Sequence, residues 1–446
     1  MLWFTLGISV LAAILFGLAP SLQVSSRCMG SALKDGVGGS FASIATRQPH
    51  RLRGALVIVE VALAVVLVVG AALTLRSFEK LLHVDTGLRT DRVLTMHVHF
   101  GHSVCSYETP VKCELANEEI LDGIRSLPGV ELAAASLGFP MTGGYGISSL
   151  YVEGQQKNQL TSAFGENNPL THTVTPDYFA ALGMRLLKGR DFNSSDTRNS
   201  PPVAIVNQSF ALLYLAGDPL GKRFSTSEDK NGHHKWIEVV GVVSDDRDMG
   251  LRTEPTPLCY RPAGQSDSGS DFIVRTTGDP MALAEAVQKQ IWAVDKNAPI
   301  SELATMDEVV ARQTAGDRFQ TALLGAFGAL GLVLAVVGIY GVISYAVLQR
   351  THEIGVRIAL GAQPRDVLRM VINEGMLLAS MGIALGVAGA LALTRFLRSL
   401  LFEIKPTDPA TFAAVAVVLT FVALLACYIP ARRAMRVDPM VALRYE

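Results

Sequence analysis

His97, His99 and His102 are spaced to gather along one strand edge, where their imidazole nitrogens could serve as metal ligands. A coincidental run of surface histidines gives the same spacing, and that is the preferred reading, so no metal is expected. Cys105 and Cys113 are near enough in sequence to form a local disulfide if their compartment is oxidising. Cys259 is then an odd third thiol, and Cys28 and Cys427 fall at or in apolar segments. No GxxxxGK[ST] loop occurs, so the chain has no phosphate cradle of that kind and cannot hydrolyse ATP by that route. No set of nucleophile, base and orienting group stands out, and no cofactor is expected. The remaining candidate is a short stretch in which Glu353, Gly355 and Arg357 alternate with apolar residues. This is contact chemistry rather than bond-making chemistry.

The elements that must position these residues are mostly membrane helices. Hydrophobic residues make up 49% of the chain and charged residues 18%, against about 25% charged in soluble proteins. The net charge of −1 leaves no basic excess for nucleic acid. A spanning helix needs about 20 apolar residues. Residues 2–18, 55–75, 322–348, 376–394 and 412–429 approach or meet that requirement, with Glu60 the lone acid well inside a span. Glu60 is expected to pair within the bundle rather than face a cavity. Nothing comparable occurs across the about 245 residues of 76–320, which therefore read as a folded aqueous domain. The predicted fold class is an α-helical membrane bundle of about five transmembrane helices with a large mixed α/β extracytoplasmic domain.

Orientation follows the Lys/Arg bias. Arg27, Lys34, Arg47, Arg51 and Arg53 lie between the first two spans, and Arg350, Arg357, Arg365 and Arg369 between the third and fourth. Arg432, Arg433, Arg436 and Arg444 follow the fifth. Alternation puts all three segments in the cytoplasm and residues 76–320 outside. The short segment 395–409 is then also outside, although Arg395, Arg398 and Lys405 weaken the contrast. A signal peptide at the start would need positive charge before its apolar run, and none precedes Arg27. The organisation read from the sequence is a first transmembrane helix at 1–20, a cytoplasmic linker at 21–54 and a second helix at 55–75. The outer domain with its stalk follows at 76–320, and a domain with three transmembrane helices at 321–446.

Within the outer domain, residues 93–100 alternate like a strand, and 114–127 place Ile120, Ile124 and Leu127 on one helical face before Pro128-Gly129. Residues from 132 onward and 203–206, 236–243 and 272–275 are further strand candidates, and 281–294 is a helix. Residues 76–82 and 306–320 extend the second and third membrane helices outward, and two such helices side by side would make a stalk. Gly382 and Gly386 in the fourth span, with Gly325, Gly328 and Gly331 in the third, allow close helix approach. Residues 350–369 read as a short amphipathic cytoplasmic element that ends at Gly361 and restarts at Pro364. It could lie on lipid headgroups or dock on another protein.

The two ends of the chain are similar. Pro20 and Pro430 each close an apolar helix, and Ala32-Leu33-Lys34 parallels Ala442-Leu443-Arg444. The first span therefore resembles the last helix of a preceding module.

From residue 319 onward the chain resembles the FtsX-like permease module of MacB-type ABC transporters. The resemblance rests on Gly338-Ile339-Tyr340-Gly341-Val342 and on Arg350-Thr351-His352-Glu353-Ile354-Gly355-Val356-Arg357-Ile358-Ala359-Leu360-Gly361-Ala362. Pro430-Ala431-Arg432-Arg433-Ala434 and Val437-Asp438-Pro439-Met440 complete it. The outer segment is similar to the same family at Pro176-Asp177-Tyr178-Phe179, Gly189-Arg190-Asp191-Phe192, Val203-Ala204-Ile205-Val206-Asn207 and Val239-Val240-Gly241-Val242-Val243. The family resemblance implies an ATPase-coupling loop at Glu353, Ile354, Gly355, Arg357, Ala359, Leu360, Gly361 and Ala362. It implies a separate ABC ATPase subunit, a homodimer or second permease module, and an inner-membrane location with an amphipathic or lipidic substrate. A periplasmic or outer-membrane partner is a further implied contact. The resemblance to the duplicated permeases of this superfamily, which carry two modules, implies that this chain lacks most of the first. The alternatives are a transmembrane signalling protein that activates an extracytoplasmic partner, or a remnant of a longer permease.

Overall fold

The computed structural model describes residues 48–101, 104, 110–138, 141, 145–147, 149–154, 169–227, 233–266, 269–360, 363–395 and 401–435. The expected first span, the paired chain ends, His102 and Cys105 lie outside them. Four helices among the described residues are long and apolar enough to cross a membrane. They are α1 (Gln48–Leu82), α6 (Met306–Gln349), α8 (Pro364–Thr394) and α9 (Pro409–Ala434). The chain separates into two compact units, one drawing on residues 1–65, 331–388 and 416–446 and the other on 66–330 and 389–415.

Among the described residues, the second unit is built on one sheet of 12 strands. These are β1 (Val93–Val98), β2 (Val130–Leu137), β3 (Tyr145–Gly146), β4 (Tyr151–Val152), β5 (Leu170–Val174), β6 (Leu186–Gly189), β7 (Val203–Asn207), β8 (Arg223–Ser225), β9 (Ile237–Val243), β10 (Leu258–Pro262), β11 (Asp271–Thr276) and β12 (Ile300–Thr305). The strand order is β12-β1-β11-β2-β5-β10-β7-β9-β8-β4, with β3 on β5 and β6 on β9. Most pairs are antiparallel, while β5–β10 and β7–β9 run parallel. The helices of this unit are α2 (Pro110–Arg125), α3 (Tyr178–Ala181), α4 (Gln208–Tyr214) and α5 (Ala284–Val294).

Two-residue alternation assigns each strand face to a different core. Leu94, Met96 and Val98 of β1, Ala133 and Ala135 of β2, and Phe272 and Val274 of β11 pack with Ile120, Leu121 and Ile124 of α2 and Val287 and Ile291 of α5. Their neighbours Val93, Ala134 and Ile273 face a second core with Tyr178, Phe179 and Tyr260. On β7, Ala204 and Val206 point to a third core around Phe210 and Phe224, while Val203 and Ile205 join the second. These strands bury both faces, so polar residues they carry, such as Thr95, Ser136, Asp271 and Arg275, are buried as well.

The outer segments on which the family resemblance rests hold this core. Asn207 ends β7 and caps α4: its Oδ1 accepts from the Phe210 N–H and from the Leu258 N–H, each at 2.9 Å. Gly189 has φ +76°, a region that side-chain-bearing residues avoid. A Cβ on Gly241 would come within 2.5 Å of the Arg190 carbonyl oxygen. Arg190 makes two 2.8 Å bonds to the Asp196 carboxylate, which holds the following loop.

In the same unit, the outer part of α1 and the start of α6 lie side by side. Leu81 and Met306 share one core, and a Cβ on Gly328 would lie 3.5 Å from Ala71 Cβ. Residues 401–411 are fastened to α1. Arg76 bonds Asp408 and, at 2.9 Å, Thr411, and Ser77 Oγ accepts from the Phe402 N–H at 2.8 Å. Arg252 pairs with Asp317, and Gln313 donates to the Met141 carbonyl at 3.0 Å, joining α6 to the sheet domain.

The first unit is a helix cluster. Val57, Val61, Ala64, Ile339, Ile343, Ala379 and Ala423 form its core. Gly382 and Gly386 are where α1 and α8 meet. A Cβ would fall 2.7 Å from Val61 Cβ at the first and 2.5 Å from Val65 Cβ at the second. Gly325 meets nothing within 4 Å, so its membership in the glycine row is not a packing requirement. Glu60 Oε2 sits against Gly338, where any Cβ would collide with it.

Candidate functional site

The charged stretch after α6 folds as α7 (Thr351–Ala359). Arg350 leads into it, and Thr351 Oγ1 donates back to the Val347 and Leu348 carbonyls. After Ala359 the helix stops. The restart at Pro364 has proline in the first helical position, where its missing N–H costs nothing. Asp366 Oδ2 accepts from the Gln363 N–H at 3.2 Å, which closes half of a capping box.

α7 has two faces. Ile354 is 1% exposed and packs on Val367 and Ala434, with Val347 and Met370 beside them. Gly355 is buried as well. On the other face Arg357 Nη2 lies 2.6 Å from Glu353 Oε1, four residues earlier, and both side chains are about half exposed. The Arg357 Nη1 also reaches Met370 Sδ at 3.0 Å. Leu360 is 83% exposed, a large apolar residue with nothing over it. Of the expected coupling residues, the structure therefore groups Glu353, Arg357 and Leu360 outward and Ile354 and Gly355 inward. Ala359 is in α7, and Gly361 and Ala362 lie outside the described residues.

Basic and aromatic groups fasten the helix ends around α7. The Arg53 guanidinium lies 4.1 Å from the Tyr345 ring centroid. Arg433 donates to the Tyr340 hydroxyl at 3.0 Å, and Arg350 pairs with Glu374 at 2.8 Å. Arg365, Arg369 and Arg432 are exposed. Tyr340 stands in the Gly-Ile-Tyr-Gly-Val segment, so the sequence pointed at it, but gave no sign of its partner.

In the sheet domain, His97 Nδ1 is bonded to Asp271, and His99 Nε2 lies 3.1 Å from Ser301 Oγ. No group of three or more His, Cys, Asp or Glu residues among the described ones could hold a metal ion. Cys113 is disulfide-bonded, and Cys259 is buried and free. A buried titratable cluster had no signal in the sequence. His172 on β5 lies 3.0 Å from Asp248 with both side chains out of solvent. The Tyr260 hydroxyl donates to Asp246 Oδ1 at 3.3 Å. Burial, helped by the charge of Asp248, pushes the Asp246 carboxyl up to about 7. Burial disfavours the charged His172 ring, yet contact with Asp248 outweighs this and leaves its pKa raised.

Residues 55–294 match the family described as the MacB-like periplasmic core domain, and residues 325–439 match the FtsX-like permease C-terminal family. A macrolide export ATP-binding/permease protein MacB of Chromobacterium violaceum is 25% identical over 334 residues, covering 73% of this chain and 50% of that relative. The MacB 2 protein of Aeromonas hydrophila is 25% identical over 355 residues, covering 76% of this chain and 50% of its own length. This chain thus spans about half the length of the curated relatives it matches. The crystal structure of the periplasmic region of MacB from Actinobacillus actinomycetemcomitans aligns with 53% of this chain and 98% of that one, at 15% identity and a TM-score of 0.34.

Proposed function

This chain belongs to the family of MacB-like permeases, and from that premise we propose that it couples a separate ABC ATPase subunit to movement of its own outer domain. It is a multi-pass inner-membrane protein whose mixed α/β domain is extracytoplasmic. The work of such a component is mechanical: nucleotide binding and hydrolysis take place on the partner. The substrate is an amphipathic molecule exported or extracted at the outer face, and the working form contains a second permease module, supplied by another copy or a homologue. A periplasmic or outer-membrane partner receives the substrate.

The observation that carries this reading is the outward face of α7. Glu353, Arg357 and Leu360 are exposed while Ile354 anchors the helix from behind. An exposed leucine flanked by an ion pair suits a protein contact with an apolar centre and an orienting rim. α1 and α6 are each one unbroken helix of 35 and 44 residues, a means of carrying displacement across the bilayer.

Co-purification with the cognate ABC ATPase, together with ATPase stimulation, tests the proposal. Leu360→Glu should abolish both while the chain still inserts and folds, because Leu360 supports no internal packing. Undiminished binding and stimulation by Leu360→Glu would remove α7 as the coupling element and leave it as a helix lying on lipid headgroups.

A further inference from the structure

Residues 244–253, which follow β9, join the sheet to both long helices of their unit. The Arg247 N–H donates to the Thr86 carbonyl at 3.1 Å, in the connection from α1 to β1. Gly87 brings that connection so close, at φ +76°, that a Cβ there would collide with the Asp245 carbonyl oxygen. On the other side Arg252 pairs with Asp317 of α6, and a Cβ on Gly250 would lie 3.3 Å from Gln313 Oε1. The Asp245 carboxylate accepts from the Ser209 N–H and hydroxyl, each at 2.8 Å, which ties the segment to α4.

The inner face of the same segment is charged. Asp246 and Asp248 are both buried. Asp248 Oδ1 lies 3.0 Å from His172 Nε2 on β5. Neither oxygen of Asp248 has a hydrogen-bond partner among the described residues, so the His172 ring is what answers its charge. The other ring nitrogen, Nδ1, faces the Leu137 carbonyl at 3.4 Å. A neutral imidazole has one N–H, and here both nitrogens face acceptors, so the site suits the imidazolium. Gly138 hems the ring in, since a Cβ there would collide with Nδ1.

Asp246 stands beside this pair and accepts from the Tyr260 hydroxyl of β10 at 3.3 Å. The other titratable groups around the cluster are Tyr178 of α3 and Asp271 of β11, and Asp271 is bonded to His97 of β1. Arg247, between the two acids in sequence, turns its guanidinium away to the Leu251 and Thr253 carbonyls. With Asp246 protonated, His172 and Asp248 balance each other. Once Asp246 ionises, two buried carboxylates share one imidazolium, and both belong to the segment that joins helices to sheet. Burial and the charge of Asp248 hold the Asp246 proton up to about 7, so the change falls between pH 6 and 8.

We propose that residues 244–253 are a pH-operated latch between the sheet and the outer part of α1 and start of α6, closed while Asp246 is protonated beside the His172–Asp248 pair and released when it ionises. The latch itself does not rest on the coupling reading. What it gates, the passage of helix movement into the sheet domain, does.

Hydrogen exchange of the detergent-solubilised full chain at pH 6 and pH 8, corrected for the intrinsic pH dependence of amide exchange, tests the latch on peptides covering 83–92 and 244–253. Protection there should fall about tenfold from the lower pH to the higher. That is the change in opening constant for one carboxyl that titrates at about 7 when closed and at its ordinary 3.8 when open. At both pH values these peptides should exchange faster than β1 and β11, because the latch opens without unfolding the sheet. Asp246→Asn keeps an acceptor for the Tyr260 hydroxyl and cannot ionise, so it should remove most of the fall. No ATPase enters the measurement, so failure of the coupling reading leaves its outcome unchanged. Equal protection at both pH values, or a fall undiminished in Asp246→Asn, would overturn the proposal. Exchange as slow as that of β1 and β11 would overturn it too, since the segment would then open only when the whole domain unfolds.

Discussion

A carboxyl group buried beside another carboxylate holds its proton more tightly in the folded chain than in the unfolded one, and Asp246 is so placed. Its folded value of about 7 stands above its ordinary 3.8. Stability from this group is therefore fully present below the unfolded value and is lost as pH rises through 7. His172, also raised, acts in the same direction. Stability of the outer domain should fall by about 1 kcal/mol between pH 6 and 8 from Asp246 alone. Asp246→Asn, which keeps an acceptor for the Tyr260 hydroxyl, should flatten that fall; denaturant titrations at the two pH values measure it, and an unchanged slope would refute the assignment. Glycines give a second contrast. Gly386→Ala forces a Cβ to within 2.5 Å of Val65 Cβ, whereas Gly328→Ala meets its neighbour at an ordinary 3.5 Å. The first should cost about 1–3 kcal/mol and the second almost nothing, as read by unfolding of the purified protein in detergent. Peptide mapping without reductant should recover Cys113 joined to Cys105.

At the scale of elements, α7 is the case where the sequence spoke clearly and still left the orientation open. Its length, its stop and its restart at Pro364 were legible from apolar spacing and from glycine and proline. That Ile354 is apolar and Glu353 and Arg357 polar was legible too; what Ile354 packs against was not, because Ala434 is far away in the chain. Gly355, one of the residues expected in the coupling loop, is itself inside. Glu353→Lys should consequently impair coupling by placing like charges four residues apart and misorienting the contact. The double exchange Glu353→Lys with Arg357→Glu should restore helix stability but not ATPase stimulation. Stimulation regained by the double exchange would mean that the pair serves only α7 itself. In the sheet domain β1 was readable from its alternation, and β7, β9 and β11 as further strand candidates. The short strands β3, β4, β6 and β8 were not, since so few residues set no period. The His172 cluster was equally invisible, because its members come from β5, β10 and the loop after β9 and meet only once the sheet forms.

At the scale of the whole molecule, the positive segments and the long apolar helices predict the side on which each part resides. A cysteine at Val356 should be shielded from an impermeant thiol reagent in intact cells, and one at the exposed Leu212 should react. The reverse pattern would invert the topology. The 44 residues of α6 make a rod of about 66 Å, roughly twice the hydrocarbon thickness it must cross. Such a rod preserves angular phase from end to end. One residue inserted near Gly325, where nothing crowds the helix, would turn everything beyond it by about 100° and advance it by about 1.5 Å. Seven inserted residues would bring the rotation back to within about 20° of its starting angle. If torque passes along α6, the single insertion should uncouple ATPase activity from the outer domain and the seven-residue insertion should recover part of it, a periodicity that a flexible tether would never show.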